Sequence, residues 1–225
     1  MDWILPPGVS SYAGDIDRIY YLILVITGIA FVVVEAALVV FLVKYRKRPG
    51  RKAHYTHGSM KAEVIWTAVP AVVVVMIGIL SGGVWNSIKG RDSVPKDSYP
   101  IGVHAAQFEW NVTYPGPDGV LGNADDFTRR NQLHVPANRP IAISLTAEEV
   151  IHSFFIPAFR VKQDAVPGRE IVVWFEVTQP GDYELACAEL CGLGHYRMKA
   201  AVTVHTAEDF ARWLAAEAET VAVRQ

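Results

Sequence analysis

The chain has 225 residues and a net charge of −2, with hydrophobic residues making up 51% of it, an apolar share that points to a membrane part joined to a soluble part. Residues 1–88 carry eight Lys/Arg against five Asp/Glu, and residues 89–225 carry thirteen against eighteen, so the acidic second part suits a basic partner and excludes nucleic acid. The only cysteines are Cys187 and Cys191, and no CxxCH motif occurs, which excludes a disulfide framework and covalently attached haem.

In chain order, residues 1–18 (MDWILPPGVSSYAGDIDR) contain one basic residue and two Pro, a poor n-region for a cleaved signal peptide. Tyr20 to Val43 is long and apolar enough to span a bilayer as a helix. Val64 to Ile88 lacks any charged residue and reads as a second span, with Pro70 placed to kink it and Trp66 and Trp85 near its two ends as interfacial aromatics. The expectation is a transmembrane helical hairpin over 19–88. Its connecting loop, 44–62, holds Lys44, Arg46, Lys47, Arg48, Arg51 and Lys52, and such positive charge marks the cytoplasmic side. Both termini and the domain after residue 88 then lie outside, in the periplasm of a bacterium. Glu35 sits mid-span. It reads as a neutral carboxyl bonded to a neighbouring helix in preference to a proton-relay or helix-pairing group. Glu63 opens the second span, where the helix dipole favours a carboxylate.

Residues 89–100 (KGRDSVPKDSYP) read as a linker. From Ile101 onward, short runs rich in Val, Ile, Thr and aromatics are broken by Pro, Gly, Asn and Asp. That pattern predicts an all-β sandwich or barrel over 101–206, and about 105 residues suits one domain. The loop YPGPDGVLGNADDF (114–127) offers Asp118, Asp125 and Asp126 to a hard cation such as calcium. It lacks the EF-hand spacing, and its turn chemistry favours a plain hairpin loop. Residues 207–225 begin as an amphipathic helix, with Thr206 as N-cap and Asp209 three residues on.

The segment C-A-E-L-C-G-L-G-H-Y-R-M (187–198) puts Cys187, Cys191, His195 and Met198 in one short loop. Thiolate, imidazole and thioether together favour copper over hard ions. A second imidazole must come from elsewhere, and His152, at the end of a predicted strand, is the candidate. Two thiolates, two imidazoles and a thioether exceed what one copper takes. Bridging thiolates can hold two, each with one His and one weaker ligand: Met198 for one, a loop carbonyl for the other. Zinc and a simple Cys187–Cys191 disulfide stay open at this point, although zinc leaves Met198 idle.

The same segment resembles the signature of cytochrome c oxidase subunit II, C-x-E-x-C-G-x-x-H-x-x-M, and fits at every fixed position. H-S-F-F-I-P (152–157), V-K-Q-D-A-V-P-G-R (161–169) and K-A-E-V-I-W-T-A-V-P (61–70) resemble further blocks of that family. The resemblance covers nearly the whole chain. It implies a cupredoxin-like, Greek-key domain on a two-helix anchor, with a binuclear copper centre (CuA) of two copper ions. Cys187 and Cys191 would bridge them, His152 and His195 would bind one each, and Met198 and the Glu189 backbone carbonyl would complete the set. The Glu189 side chain would reach magnesium at the interface with haem-bearing subunit I. Glu63 matches a carboxylate at the mouth of a proton channel, and Glu148 and Glu149 match acidic residues that dock the cytochrome c donor.

One departure stands out. The family often has Q-W-x-W where this chain has Q-F-E-W. Phe108 thus takes the position of the first Trp, which leaves Trp110 and Phe108 as candidate electron-relay residues and suggests a different donor, such as a cytochrome c-bearing complex. With no fused haem domain, the donor is expected to be a separate chain. The implied whole is a proton-pumping oxidase of the bacterial inner membrane, with subunit I, subunit III and lipid as partners. A quinol-oxidase subunit would lack these ligands. A nitrous oxide reductase would lack the two-helix anchor. A zinc or metal-storage module would differ in metal content.

Overall fold

A computed structural model describes residues 4–222. Residues 1–3 and 223–225, the extremes of the N-terminal segment and of the C-terminal tail, lie outside the described residues. Asp15–Trp85 forms one compact unit, and the residues on either side of it form another.

The first unit is built on α1 (Ala13–Lys44) and α2 (Met60–Lys89). At 1.5 Å per residue these helices run roughly 45–48 Å, against about 30 Å for a bilayer's hydrocarbon core, so each extends past its apolar run. Hydropathy alone therefore starts the first helix too late. Its true start is set by polar contacts: Ala13 N donates to Ser10 O at 3.1 Å, and Asp15 lies in the first turn, paired with Arg18 at 3.0 Å, where the dipole favours an acid. Ser59 caps α2, its Oγ accepting from Ala62 N at 3.4 Å. The helix runs on through Pro70. No α2 side chain is buried within the chain, as expected of surface meant for lipid or other subunits.

The second unit is a sandwich of two five-stranded sheets. One holds β1 (Tyr99–Ala106), β2 (Glu109–Tyr114), β3 (Phe127–Arg130), β5 (Pro140–Ala147) and β8 (Ile171–Glu176), in the order β3-β2-β1-β5-β8. The other holds β4 (Gln132–Pro136), β6 (His152–Ile156), β7 (Val161–Ala165), β9 (Gly181–Cys187) and β10 (Lys199–His205), in the order β4-β10-β9-β6-β7. β1/β5 and β4/β10 pair in parallel and the other neighbours antiparallel. The alternation of burial along β1 and β5 is the period-2 signature of strands with one face in the core. Ile101, Trp110, Ile143 and Leu145 of one sheet meet Leu133, Phe154, Ile156 and Leu185 of the other without solvent exposure. Each such side chain contributes roughly 1.5–3 kcal/mol.

Two further pieces close this unit. The C-terminal helix α3 (Ala207–Ala222) begins at the expected cap: Asp209 N donates to Thr206 Oγ1 at 3.2 Å, and Thr206 Oγ1 donates to Asp209 Oδ2 at 2.8 Å. Residues 9–13 lie against β8 and the turn after β6. Val9 N donates to Ala158 O, Ser11 N to Glu176 O and Thr178 N to Val9 O, at 2.8–2.9 Å. The Ser10 hydroxyl is buried on Phe159 O at 2.7 Å. Residues 9–13 are thus packed into the β unit. In the 114–127 loop two of the three Asp carboxylates brace the turn: Asp118 accepts from Val120 N and Asn123 Nδ2, and Asp126 from Gly122 N.

Candidate metal centre

Antiparallel pairing of β6 with β9 sets Phe154 opposite Cys187, which brings His152, at the start of β6, near the end of β9. The connection from β9 to β10 is held at both ends, with Cys187 N donating to Met198 O at 3.0 Å and Ala188 N to Ser153 O at 3.1 Å. A 3₁₀ turn over His195–Arg197 closes it. His152, Cys187, Cys191 and Met198 are all buried.

Six donor atoms converge. The sulfurs of Cys187 and Cys191 lie 3.8 Å apart, far beyond the ~2.05 Å of a disulfide, and both thiols are free. On one side of this pair are His152 Nδ1, 3.9 Å from Cys187 Sγ, and Met198 Sδ, 3.7 Å from Cys191 Sγ; these two atoms are 3.1 Å from each other. Two further donors approach the sulfurs singly: His195 Nδ1, 3.7 Å from Cys191 Sγ, and Glu189 O, 3.2 Å from Cys187 Sγ. Two thiolates each ~2.3 Å from a shared first-row ion can stand up to about 4.6 Å apart, so the sulfur spacing is within bridging reach.

The electrostatics suit a soft cation. Burial pushes the Cys191 thiol up to about 11, helped by the neighbouring Cys187, so a thiolate here needs a positive ion beside it. Burial also lowers the His152 value, which keeps the ring neutral and free to ligate. Its other ring nitrogen, Nε2, is buried without a hydrogen-bond partner among the described residues. The donor chemistry fits copper: sulfur and imidazole, with no carboxylate among the converging atoms.

The other sequence-predicted residues fall as follows. Trp110 is wholly buried and sets its ring edge-on to His152, with centroids 6.2 Å apart. The Glu189 side chain is exposed, and so are Glu148 and Glu149; Glu148 lies 3.7 Å from His104 Nε2. Glu35 and Glu63 belong to the helical unit, on α1 and in the first turn of α2.

One residue at the site escapes sequence reasoning. Gln107, at the tip of the β1–β2 hairpin, donates from Nε2 to Cys191 O at 2.5 Å. Beside it Phe108 covers the ligand loop closely. A Cβ on Gly194 would overlap the Phe108 ring, and one on Gly192, whose φ is +127°, would run into Gln107. Both glycines are therefore required where the hairpin presses on the loop. The Q-F-E-W stretch was legible as a position of interest, but its contact with a loop 84 residues away was not.

Comparisons with known proteins identify the family. Residues 111–205 match the profile of the cytochrome c oxidase subunit II periplasmic domain, and residues 1–83 match that of its transmembrane domain. The chain is 30% identical to cytochrome c oxidase subunit 2 of Thermostichus vulcanus over 262 residues, covering 93% of this chain and 77% of that one. It is 29% identical to the alternative cytochrome c oxidase subunit 2 of Bradyrhizobium diazoefficiens, covering 94% and 83%. Among solved structures, the periplasmic domain of subunit II of cytochrome oxidase (CoxB) of Bradyrhizobium japonicum superposes with a TM-score of 0.50 at 32% identity, over 58% of this chain and 98% of that one. The β unit is accordingly cupredoxin-like, on two apolar helices that each suffice to cross a membrane. On sequence, fold and domain order together, the chain belongs to the cytochrome c oxidase subunit II family and is a membrane-bound subunit of an oxidoreductase.

Proposed function

We propose that the chain is the electron-accepting subunit of its oxidase, taking electrons from a cytochrome c and passing them to haem in subunit I, where oxygen reduction is coupled to proton pumping. The observation that carries this reading is the convergence of six donors: a His152–Met198 pair, His195 and the Glu189 carbonyl around two thiols 3.8 Å apart. Cys187 and Cys191 would bridge two copper ions. His152 with Met198 would complete one, and His195 with the Glu189 carbonyl the other. The bound pair would supply one-electron redox chemistry.

The protein's part is to hold the donors still. β6, β9 and β10 are hydrogen-bonded neighbours, and Gln107 and Phe108 press the intervening loop onto them. A ligand set fixed this way changes little with oxidation state, which favours fast transfer. Trp110, packed on His152, is the candidate relay on the buried side, and Phe108 lies at the exposed edge of the loop. Glu148 and Glu149 are exposed near His152 and suit a basic cytochrome surface. The Glu189 side chain, free to point outward, would take magnesium at the subunit I interface. Glu63 would stand at the mouth of a proton channel. In this reading 19–88 anchors the chain, 89–100 links it, and 101–206 is the copper domain. The basic loop lies in the cytoplasm of a bacterium and the copper domain in the periplasm, with subunits I and III and lipid as neighbours.

The test uses the full chain in detergent, loaded with copper and measured for metal content and electron paramagnetic resonance. Two coppers per chain sharing one unpaired electron, with hyperfine splitting from both nuclei, is the expected result. One copper with a single-nucleus pattern, or a Cys187–Cys191 disulfide without metal, overturns the binuclear reading.

A further inference from the structure

Where α1 gives way to the loop after it, two cavities share a wall. One is a shallow apolar groove, largely open on its outer side, along the second half of α1, lined by Val34, Ala37, Leu38 and Phe41 and reaching Tyr45 and Arg46. The other is a cationic cradle of about 600 Å³, lined by the same Tyr45 and Arg46 together with Lys47, Arg48, Arg51 and Lys52.

The cradle has a built shape. Arg48 to Arg51 form a tight turn, in which Arg51 N donates to Arg48 O at 3.3 Å. Gly50 takes φ +77°, the value a type II turn requires at its third residue, with Pro49 at the preferred second. The turn carries Arg51 back to the end of α1. There its Nη1 donates to Lys44 O at 2.8 Å, and its guanidinium lies 5.7 Å from the Tyr45 ring centroid. Residues 45–59 contain no Asp or Glu. Among the described residues no ion pair neutralises Arg46, Lys47, Arg48 or Lys52. Charges that serve only to orient a helix in the membrane need sign and number. They do not need a common cavity, nor one that opens onto an apolar groove past an interfacial tyrosine.

We propose that this composite site binds one anionic phospholipid, its phosphodiester in the cradle and an acyl chain along the α1 groove. Arginine forks match phosphate oxygens in pairs, the groove takes hydrocarbon, and only an amphiphile uses both. The assignment is independent of the copper reading.

The test counts molecules retained by the purified full chain, by native mass spectrometry, after incubation with dioleoyl phosphatidylglycerol, dioleoyl phosphatidylcholine or inorganic phosphate. One phosphatidylglycerol per chain is expected, with phosphatidylcholine held at least tenfold less and phosphate alone not retained. Joint Arg46→Gln and Arg48→Gln should cut phosphatidylglycerol retention tenfold or more, at roughly fivefold per cation. Arg51 is spared because it caps α1. Ala37→Phe, which keeps every charge and fills the groove, should cut it as well. Equal retention of the two lipids, or retention unchanged in both variants, overturns the proposal. So does phosphate held as firmly as phosphatidylglycerol, which would make the cradle a free-anion site.

Discussion

Strand β10 joins two histidine clusters that behave in opposite ways. Just before its first residue lies Met198, among donors that face sulfur: His152 Nδ1 is 3.9 Å from Cys187 Sγ, and His195 Nδ1 is 3.7 Å from Cys191 Sγ. At its last residue, His205 faces another histidine. His134 Nδ1 and His205 Nε2 are 2.9 Å apart and share a hydrogen bond, and the His134 ring stacks on Trp213 of α3 with centroids 4.4 Å apart. There one ring's lone pair is spent on the other ring, and no third Cys, His or acid joins them as a ligand cluster among the described residues. Imidazole is the same in both places. What faces it differs: sulfur at one end, a second imidazole and an indole at the other.

Breaking the sulfur end should have the largest effect. On the proposed binuclear reading, Cys191→Ser exchanges one of two bridging thiolates for a weak, hard donor, so copper retained after dialysis should fall at least tenfold and the two-nucleus hyperfine pattern should vanish. Two coppers still held by the variant would refute a bridging role. Breaking the other end should spare copper and cost stability instead. Trp213 contacts Tyr114, His134 and Phe210 but keeps some exposure. Trp213→Ala should therefore lower unfolding free energy by about 2–3 kcal/mol, short of the loss at a fully buried ring. Chemical denaturation reads this directly, and a parallel loss of copper would mean the ends are coupled.

The sequence disclosed these two ends unequally. Four soft side-chain donors of the sulfur end lie within twelve consecutive residues, so their chemistry is readable without a fold, and His152 is found through its own motif. The 3.1 Å approach of His152 Nδ1 to Met198 Sδ depends on the β6–β9 register and cannot be read from spacing. The His134–His205 pair depends on parallel pairing of β4 with β10, which sets Pro136 beside His205. Alternation reveals which face a residue takes, not which strand lies next to it. Thr206 as cap and the two apolar helices were legible because caps and spans are local. The docking of residues 9–13 on β8 was not, because a single bridge, Ser10 to Val177, leaves no strand pattern.

Acid should separate the ends by a smaller margin. Burial, then His205, lowers His134 from 6.5 to about 4, and burial lowers His205 as well. Between pH 6.5 and 4 the unfolded chain therefore holds a proton that folded His134 does not. Stability present above pH 6.5 is lost as pH falls, and the loss is complete below about 4. Solvent screening at this half-buried ring holds the effect to about 1–2 kcal/mol. His134→Gln should flatten that part of the stability–pH curve, and an unaltered slope would assign the acid sensitivity elsewhere.

The smallest effect returns to the sulfur end and tests whether its loop is held from outside. Gln107→Leu keeps the bulk of the hairpin tip and deletes the bond to Cys191 O. One partly exposed hydrogen bond is worth roughly 0.5–1.5 kcal/mol, so global stability should barely move and copper content should match that of the unaltered chain. What should change is the loop itself. Without the amide, the Cys191 carbonyl turns to water, and backbone amides from Gly192 to His195 should exchange hydrogen about three- to tenfold faster in the copper-free chain, because local opening needs one bond fewer. The His134–His205 end, held by α3, should keep its protection. Unchanged exchange at Gly192 to His195 would mean that the Phe108 ring on the two glycines suffices to hold the loop and that Gln107 is incidental.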